Sequence, residues 1–314
     1  MNIFKNTYSL PISLSDVCRF QNYGNTCWYN YVVQAFFHTT LADKVLELHH
    51  SEKCIYIDPD QSALTAQSTF DVWSFMICNQ GMKVPDRILK TSLLQICLAI
   101  PDFSQDRQQD AHVFVSYVIS EMANSILDNI EISYNKLCTK CGKKSIRNEN
   151  EGHSLILRIE CVSNISIQTL IDNNFSISED VIKDCSECNV TSNHTLKKTI
   201  FRLPNTLVII LRRYSHYSQT GAIKLQNIIS VNEELNFEQI SSRNGKYAFK
   251  SAICHKGNNA RTGHYVTVVK SGNKYLYCDD EKIKYISPDM LLDTAYIILY
   301  SKINEPCLTS FEIG

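Results

Sequence analysis

The 314-residue chain lacks any charge imbalance: 31 Lys and Arg face 32 Asp and Glu, for a formal net charge of −1. Without a basic surplus, bulk electrostatics point to no nucleic-acid partner and no membrane surface, so recognition of a charged partner has to be local. Long apolar runs are missing as well. The longest, such as Leu207 to Leu211, are strand-length, far short of the ~20 residues that cross a bilayer. The N-terminal stretch MNIFKNTYSLPISLSD has no basic segment followed by a sustained apolar core. The expectation is a soluble intracellular protein, cytoplasmic or nuclear. Internal repeats and low-complexity segments are absent too. With 44% hydrophobic and 20% charged residues, the composition is that of an ordinary globular protein with a large core or two to three subdomains.

Cysteine, by contrast, is plentiful. There are thirteen, an odd number, in a chain too long to need a disulfide scaffold. Cys18, Cys54, Cys78, Cys97, Cys161, Cys254, Cys278 and Cys307 read as reduced core residues. Cys27 stands apart. It lies in GNTCWYN, Gly24 to Asn30, between a turn-forming polar stretch and the helix-patterned segment Tyr31 to His38. A thiol in the first turn of a helix meets unpaired backbone N–H groups and the positive end of the helix dipole, and both favour thiolate.

The apolar spacing changes character near residue 130. From Cys27 to Leu127 it is mostly helical, with segments at Leu64 to Ile77, Ile88 to Ile100 and Ala111 to Ile126. From Glu131 onward the segments are short and β-branched: Ser154 to Ile159, Thr206 to Leu211, Tyr247 to Cys254, Tyr265 to Lys270 and Ala295 to Tyr300. Turn-rich stretches at Ser215 to Gly221 and Lys256 to Gly263 separate some of them. The expected class is α+β, helices first and a sheet afterwards.

Two further groupings carry chemistry. The first is a pair of CxxC knuckles, Cys138-Thr-Lys-Cys141 and Cys185-Ser-Glu-Cys188. Four thiolates suit tetrahedral zinc, and flanking Gly142 and Asn189 can adopt the backbone angles such knuckles need. The separation between the pairs exceeds that of a compact zinc ribbon, so two hairpins would have to converge. Two unrelated cysteine pairs are the competing reading. The second grouping is Gly263-His264-Tyr265, a strand, a turn at Ser271-Gly272-Asn273, a second strand and then Cys278-Asp279-Asp280. Such a hairpin returns a carboxylate to a histidine, fixing its tautomer and leaving the other ring nitrogen for a thiol. His255 is the competing histidine.

These motifs resemble those of the ubiquitin-specific proteases, papain-like cysteine deubiquitinases with a helical thumb, zinc-bearing fingers and a β-sheet palm. Asn22-Tyr-Gly-Asn-Thr-Cys27-Trp-Tyr-Asn30 is similar to that family's cysteine box, and Gly263-His264-Tyr265 with Asp279-Asp280 to its histidine box. Gln108-Gln109-Asp110-Ala111-His112 and Leu211-Arg-Arg-Tyr214 resemble further family segments. The resemblance implies a thumb over 18–129, fingers over 130–200 with a palm-type strand near 154–160, and a palm over 201–303. The compact layout is similar to small members activated by WD-repeat proteins, which makes such an activator a possible partner beside ubiquitin or ubiquitinated proteins.

Carried onto this chain, the resemblance makes Cys27 the nucleophile, His264 the base, Asp279 its orienter and Asp280 an auxiliary. Asn22 would donate to the oxyanion, a contact whose loss costs about 3 kcal/mol. Asp110 would meet an arginine of the ubiquitin tail, Gly263 and Tyr265 would wall a narrow channel for its terminal glycines, and structural Zn2+ would sit on Cys138, Cys141, Cys185 and Cys188. Alternatives are a partner-dependent ubiquitin-binding scaffold and a protease for a ubiquitin-like modifier. The largest departure is Val113, where the family carries glutamate; losing one charged hydrogen bond costs about 1.5–3 kcal/mol. Tyr31 replaces a serine, Tyr275 a tryptophan and Cys278 a phenylalanine, and none of these exchanges falls on the triad.

Overall fold

The computed structural model describes residues 13–40, 61–100, 103, 109–123, 129–159, 162–176, 178–215, 223–241, 245–259, 262–291 and 294–303. Cys54, Cys161, Cys307, Gln108 and most of the Ser215 to Gly221 turn lie outside the described residues. Among the described residues four helices come first: α1 Cys27–Phe37, α2 Gln61–Cys78, α3 Asp86–Ala99 and α4 Ala111–Ala123. Every residue of α1 is buried, as expected for a helix that is apolar nearly all round and sits between layers. Trp73 of α2 donates its indole N–H to Val33 O at 3.0 Å, tying the outer helices to it.

Two sheets follow. The fingers sheet holds β1 Glu131–Cys138, β2 Lys144–Asn150, β4 Ser178–Cys185 and β5 Val190–Arg202 in the order β2-β1-β5-β4, all antiparallel. The palm sheet has ten strands. Its main path joins β3 Ser154–Arg158, β6 Thr206–Arg212, β7 Lys246–Asn259, β8 Thr262–Ser271, β9 Lys274–Asp279, β10 Lys282–Ile286 and β11 Ala295–Lys302 in the order β10-β9-β8-β7-β11-β6-β3. Only the edge pair β3 and β6 is parallel along this path.

Both faces of the palm are covered, which explains why β6 reads as an unbroken apolar run. Val208 and Ile210 point into a core shared with Trp28, Val32 and Phe36 of α1. Leu207, Ile209 and Leu211 point the other way, into a core with Leu170, Ile171 and Phe175. Those last three belong to α5 Ile167–Ser176, a helix that the β-branched reading of this half passed over. Its apolar residues Ile167, Leu170, Ile171 and Phe175 are buried along one helical face.

The cysteines divide more sharply than composition implied. Cys18, Cys254 and Cys278 are buried, Cys97 is half-buried, but Cys78 is exposed, because it closes α2 on the solvent side. No disulfide links any described cysteine, and among the described residues no helix is long and apolar enough to cross a membrane.

Candidate active site

The thumb and palm meet where α1 crosses β8. The loop into α1 is shaped by Gly24, whose φ is +90°. It is locked by Asn22 Oδ1, which accepts from Thr26 N at 3.3 Å and Thr26 Oγ1 at 3.2 Å. Cys27 is the first residue of the helix and is 3% exposed, a position where backbone N–H groups lack intrahelical partners.

Opposite it, β8 and β9 pair in register from Thr267 with Cys278 to Ser271 with Lys274. That hairpin brings His264, before the first paired position, to Asp279, after the last. His264 Nε2 and Asp279 Oδ1 are 2.7 Å apart, which leaves Nδ1 for the Cys27 side chain, with which the ring also hydrogen-bonds. The imidazole's pKa is pushed up to about 9, chiefly by the bond to Cys27, with Asp279 adding to it and partial burial opposing. It therefore carries its proton at neutral pH.

The remaining candidates fall into different places. Asp280 lies in a left-handed turn at φ +54° and accepts from Asn22 Nδ2 at 3.1 Å, so one of the two amide protons of Asn22 is engaged there. Gly263 is held against His255: a Cβ at this position would come within 2.4 Å of His255 Nε2 and 2.5 Å of Lys256 O. Tyr265 corrects an expectation. It is fully buried, its ring tilted against that of His255 with centroids 4.5 Å apart and its hydroxyl accepting from Ala111 N at 3.3 Å, so it backs the site from beneath instead of facing an open channel. His255 is also fully buried; burial, then Lys224 and His264, lower its pKa to about 4. It shares a 2.8 Å hydrogen bond with the Tyr214 hydroxyl and stays neutral.

Asp110 caps α4, accepting from His112 N at 2.8 Å, and takes a bond from the Tyr296 hydroxyl at 3.1 Å. Val113, one turn further, is 48% exposed, so the position that lacks the acid faces solvent.

At the far end of the fingers the two knuckles converge. Each closes a hairpin, between β1 and β2 and between β4 and β5, and Gly142 and Asn189 take φ of +73° and +49° there. The Sγ atoms of Cys138, Cys141, Cys185 and Cys188 all lie within 4.8 Å of one another, with 4.0 Å from Cys138 to Cys188 and 3.6 Å from Cys141 to Cys185. Tetrahedral zinc with Zn–S of about 2.3 Å needs sulfurs about 3.8 Å apart. The donor set and spacing fit a metal ion.

Sequence reasoning set Tyr31 aside as an exchange away from the triad. The structure corrects that: its hydroxyl reaches Asp280 Oδ1 at 2.7 Å and stands 3.4 Å from Asp279 Oδ1. The available signal was spacing, since Tyr31 is four residues after Cys27 and shares its helix face. Lys83 was also missed; it binds Gln21 Oε1 and Glu281 Oε1, each at 2.6 Å, and so clamps the carboxylate turn to the thumb.

A family model described as ubiquitin carboxyl-terminal hydrolase matches residues 18–300. The chain belongs to that family. Among curated relatives it is 26% identical to ubiquitin carboxyl-terminal hydrolase 25 of Arabidopsis thaliana, over 91% of this chain but only 47% of the relative's length. It is 24% identical to ubiquitin carboxyl-terminal hydrolase 4 of the same plant, over 90% of this chain and 93% of the relative. Its fold is similar to Ubp8 in a SAGA DUB module with Sgf11, Sus1 and Sgf73 bound to monoubiquitin, with a TM-score of 0.76, 20% identity, and coverage of 95% of this chain and 72% of that one. Its α+β architecture is thus the one found in ubiquitin carboxyl-terminal hydrolases.

Proposed function

We propose that the chain is a deubiquitinating cysteine protease that hydrolyses isopeptide or peptide bonds after the C-terminal Gly-Gly of ubiquitin. The observation that carries this reading is the line from Cys27 through His264 to Asp279 at the thumb–palm seam. The sulfur attacks the carbonyl carbon of the last glycine, and the oxyanion that forms is met by Asn22. His264, protonated, then delivers its proton to the leaving amine as the C–N bond breaks. The product is a thioester on Cys27 and a free amine. His264, now neutral, takes a proton from water, which attacks the thioester, releases ubiquitin as a carboxylic acid and returns the thiol. Asp279 fixes the ring throughout.

Zinc is the metal we assign to the four cysteines, on the sulfur donors and their spacing. Bound there it would supply structural cross-linking of two hairpins and no part of the reaction. The fingers and palm would give ubiquitin a broad grip, and Asp110 would share its remaining acceptor capacity with a basic tail residue. Val113 in place of an acid predicts weaker hold on that tail. An activator that supplies the missing grip, such as a WD-repeat protein, fits this reading.

The test is turnover of a ubiquitin C-terminal fluorogenic amide by the native chain and by Cys27→Ala. The native chain should release fluorophore and the variant should not, and equal turnover by the two would overturn the assignment.

A further inference from the structure

Two adjacent carboxylates, Asp279 and Asp280, stand beside one imidazole, and the hydrogen bonds separate their uses. Asp279 Oδ1 holds His264 Nε2 at 2.7 Å. Asp280 is held from the thumb instead: Tyr31 Oη donates to its Oδ1 at 2.7 Å, Asn22 Nδ2 to its Oδ2 at 3.1 Å, and Asn30 Nδ2 reaches its Oδ1 at 3.5 Å. Tyr31 Oη also accepts from the Asp280 amide N–H at 2.8 Å. One hydroxyl thus grips Asp280 by its single proton and by one lone pair.

The same hydroxyl stands 3.4 Å from Asp279 Oδ1 and 3.5 Å from His264 Nε2, with the two rings edge to face at 5.7 Å and 89°. These distances are too long to compete with the 2.7 Å bonds on either side. The ring is 2% exposed and its backbone carbonyl accepts from Thr267 Oγ1 of β8 at 2.8 Å, so it has no freedom to swing away. Burial, then Asp280 and Asp279, raise the phenol well above its ordinary pKa, and it remains a donor. A serine hydroxyl, one bond from Cβ, could not reach so far. Cys27 and Tyr31 are one turn apart on one helix face. The element that carries the thiol therefore also carries the group beside its acid–base partner.

We propose that Tyr31 is a positioning residue: by holding Asp280 away from the imidazole, it leaves Asp279 as the only carboxylate that orients His264. This rests on the catalytic reading of His264 and Asp279 above.

The experiment follows the rate of Cys27 alkylation by iodoacetamide against pH in the full-length native chain, Tyr31→Phe, Asp279→Asn and the double variant, with thermal melting to show that each is folded. The profile of the native chain should carry an upper inflection near pH 9, from His264. Asp279→Asn should move it down by more than one pH unit. With Tyr31→Phe in place Asp280 can turn to the ring, so the same exchange should then move it by less than half as much. Tyr31→Phe alone should lower kcat for the ubiquitin amide several-fold without raising KM. An Asp279→Asn shift of equal size in both backgrounds, or a Tyr31→Phe profile that superimposes on the native one, would overturn the proposal. Alkylation needs no ubiquitin. A chain that never cleaves ubiquitin yet shows the smaller shift would overturn the deubiquitinase reading and uphold the positioning role.

Discussion

In the fingers, six of the seven side chains of β2 are exposed, whereas in the seam every residue of α1 is buried. The fingers sheet keeps Ile146 and Ile182 more than two-thirds exposed and gathers few of the core residues. It is held by cross-strand pairing and, at its tip, by four sulfurs drawn to one point. The seam is held by packing and by a hydrogen-bond net that runs from Asn22, Asn30 and Tyr31 to Asp280. One region offers four sulfurs through which a metal ion would cross-link its tip, and the other has rigidity built into its side chains. On the proposed function, grip and chemistry are therefore separable in this molecule.

The largest effect that could break this separation is metal removal. Structural zinc in small domains contributes on the order of 10 kcal/mol, much of it folding free energy. Chelator-treated protein should show fast amide exchange throughout β1, β2, β4 and β5, and ubiquitin affinity should fall by roughly tenfold or more. Its rate of Cys27 alkylation should match that of untreated protein. A parallel loss of alkylation would mean that the fingers brace the seam after all.

A smaller and opposite effect is expected at the rim of the seam. Val113→Glu restores a charge on an exposed position beside Asp110, and should tighten ubiquitin binding by about 1.5–3 kcal/mol, roughly ten- to a hundredfold. Calorimetry on the chelated and metal-loaded forms would sharpen the contrast: the gain should be the same in both, because the two contacts lie on different regions.

The two regions also differed in how much of them the sequence disclosed. β6 was legible because both its faces are covered and its five central positions, Leu207 to Leu211, are apolar. Strand β2, KSIRNEN, has no apolar alternation to read, since solvent lies on both sides. Helix α5 was hidden by Asn173 and Asn174 and by its β-branched flanks, although Ile167, Leu170, Ile171 and Phe175 carry the helical period. At the seam, the GNTC turn and the return of Asp279 to His264 followed from local spacing. The roles of Asp280 and Tyr31 did not, because they depend on which of two neighbouring carboxylates a hydroxyl from another subdomain reaches. Register decides that, and a single residue type does not reveal it.

The most direct test of the account is labelling with a ubiquitin whose C-terminus carries a thiol-reactive electrophile, followed by peptide mapping of the adduct. With thirteen cysteines in the chain, the account predicts one ubiquitin per molecule, attached at Cys27. An adduct on any other cysteine, or none on protein whose Cys27 still reacts with iodoacetamide, would contradict it.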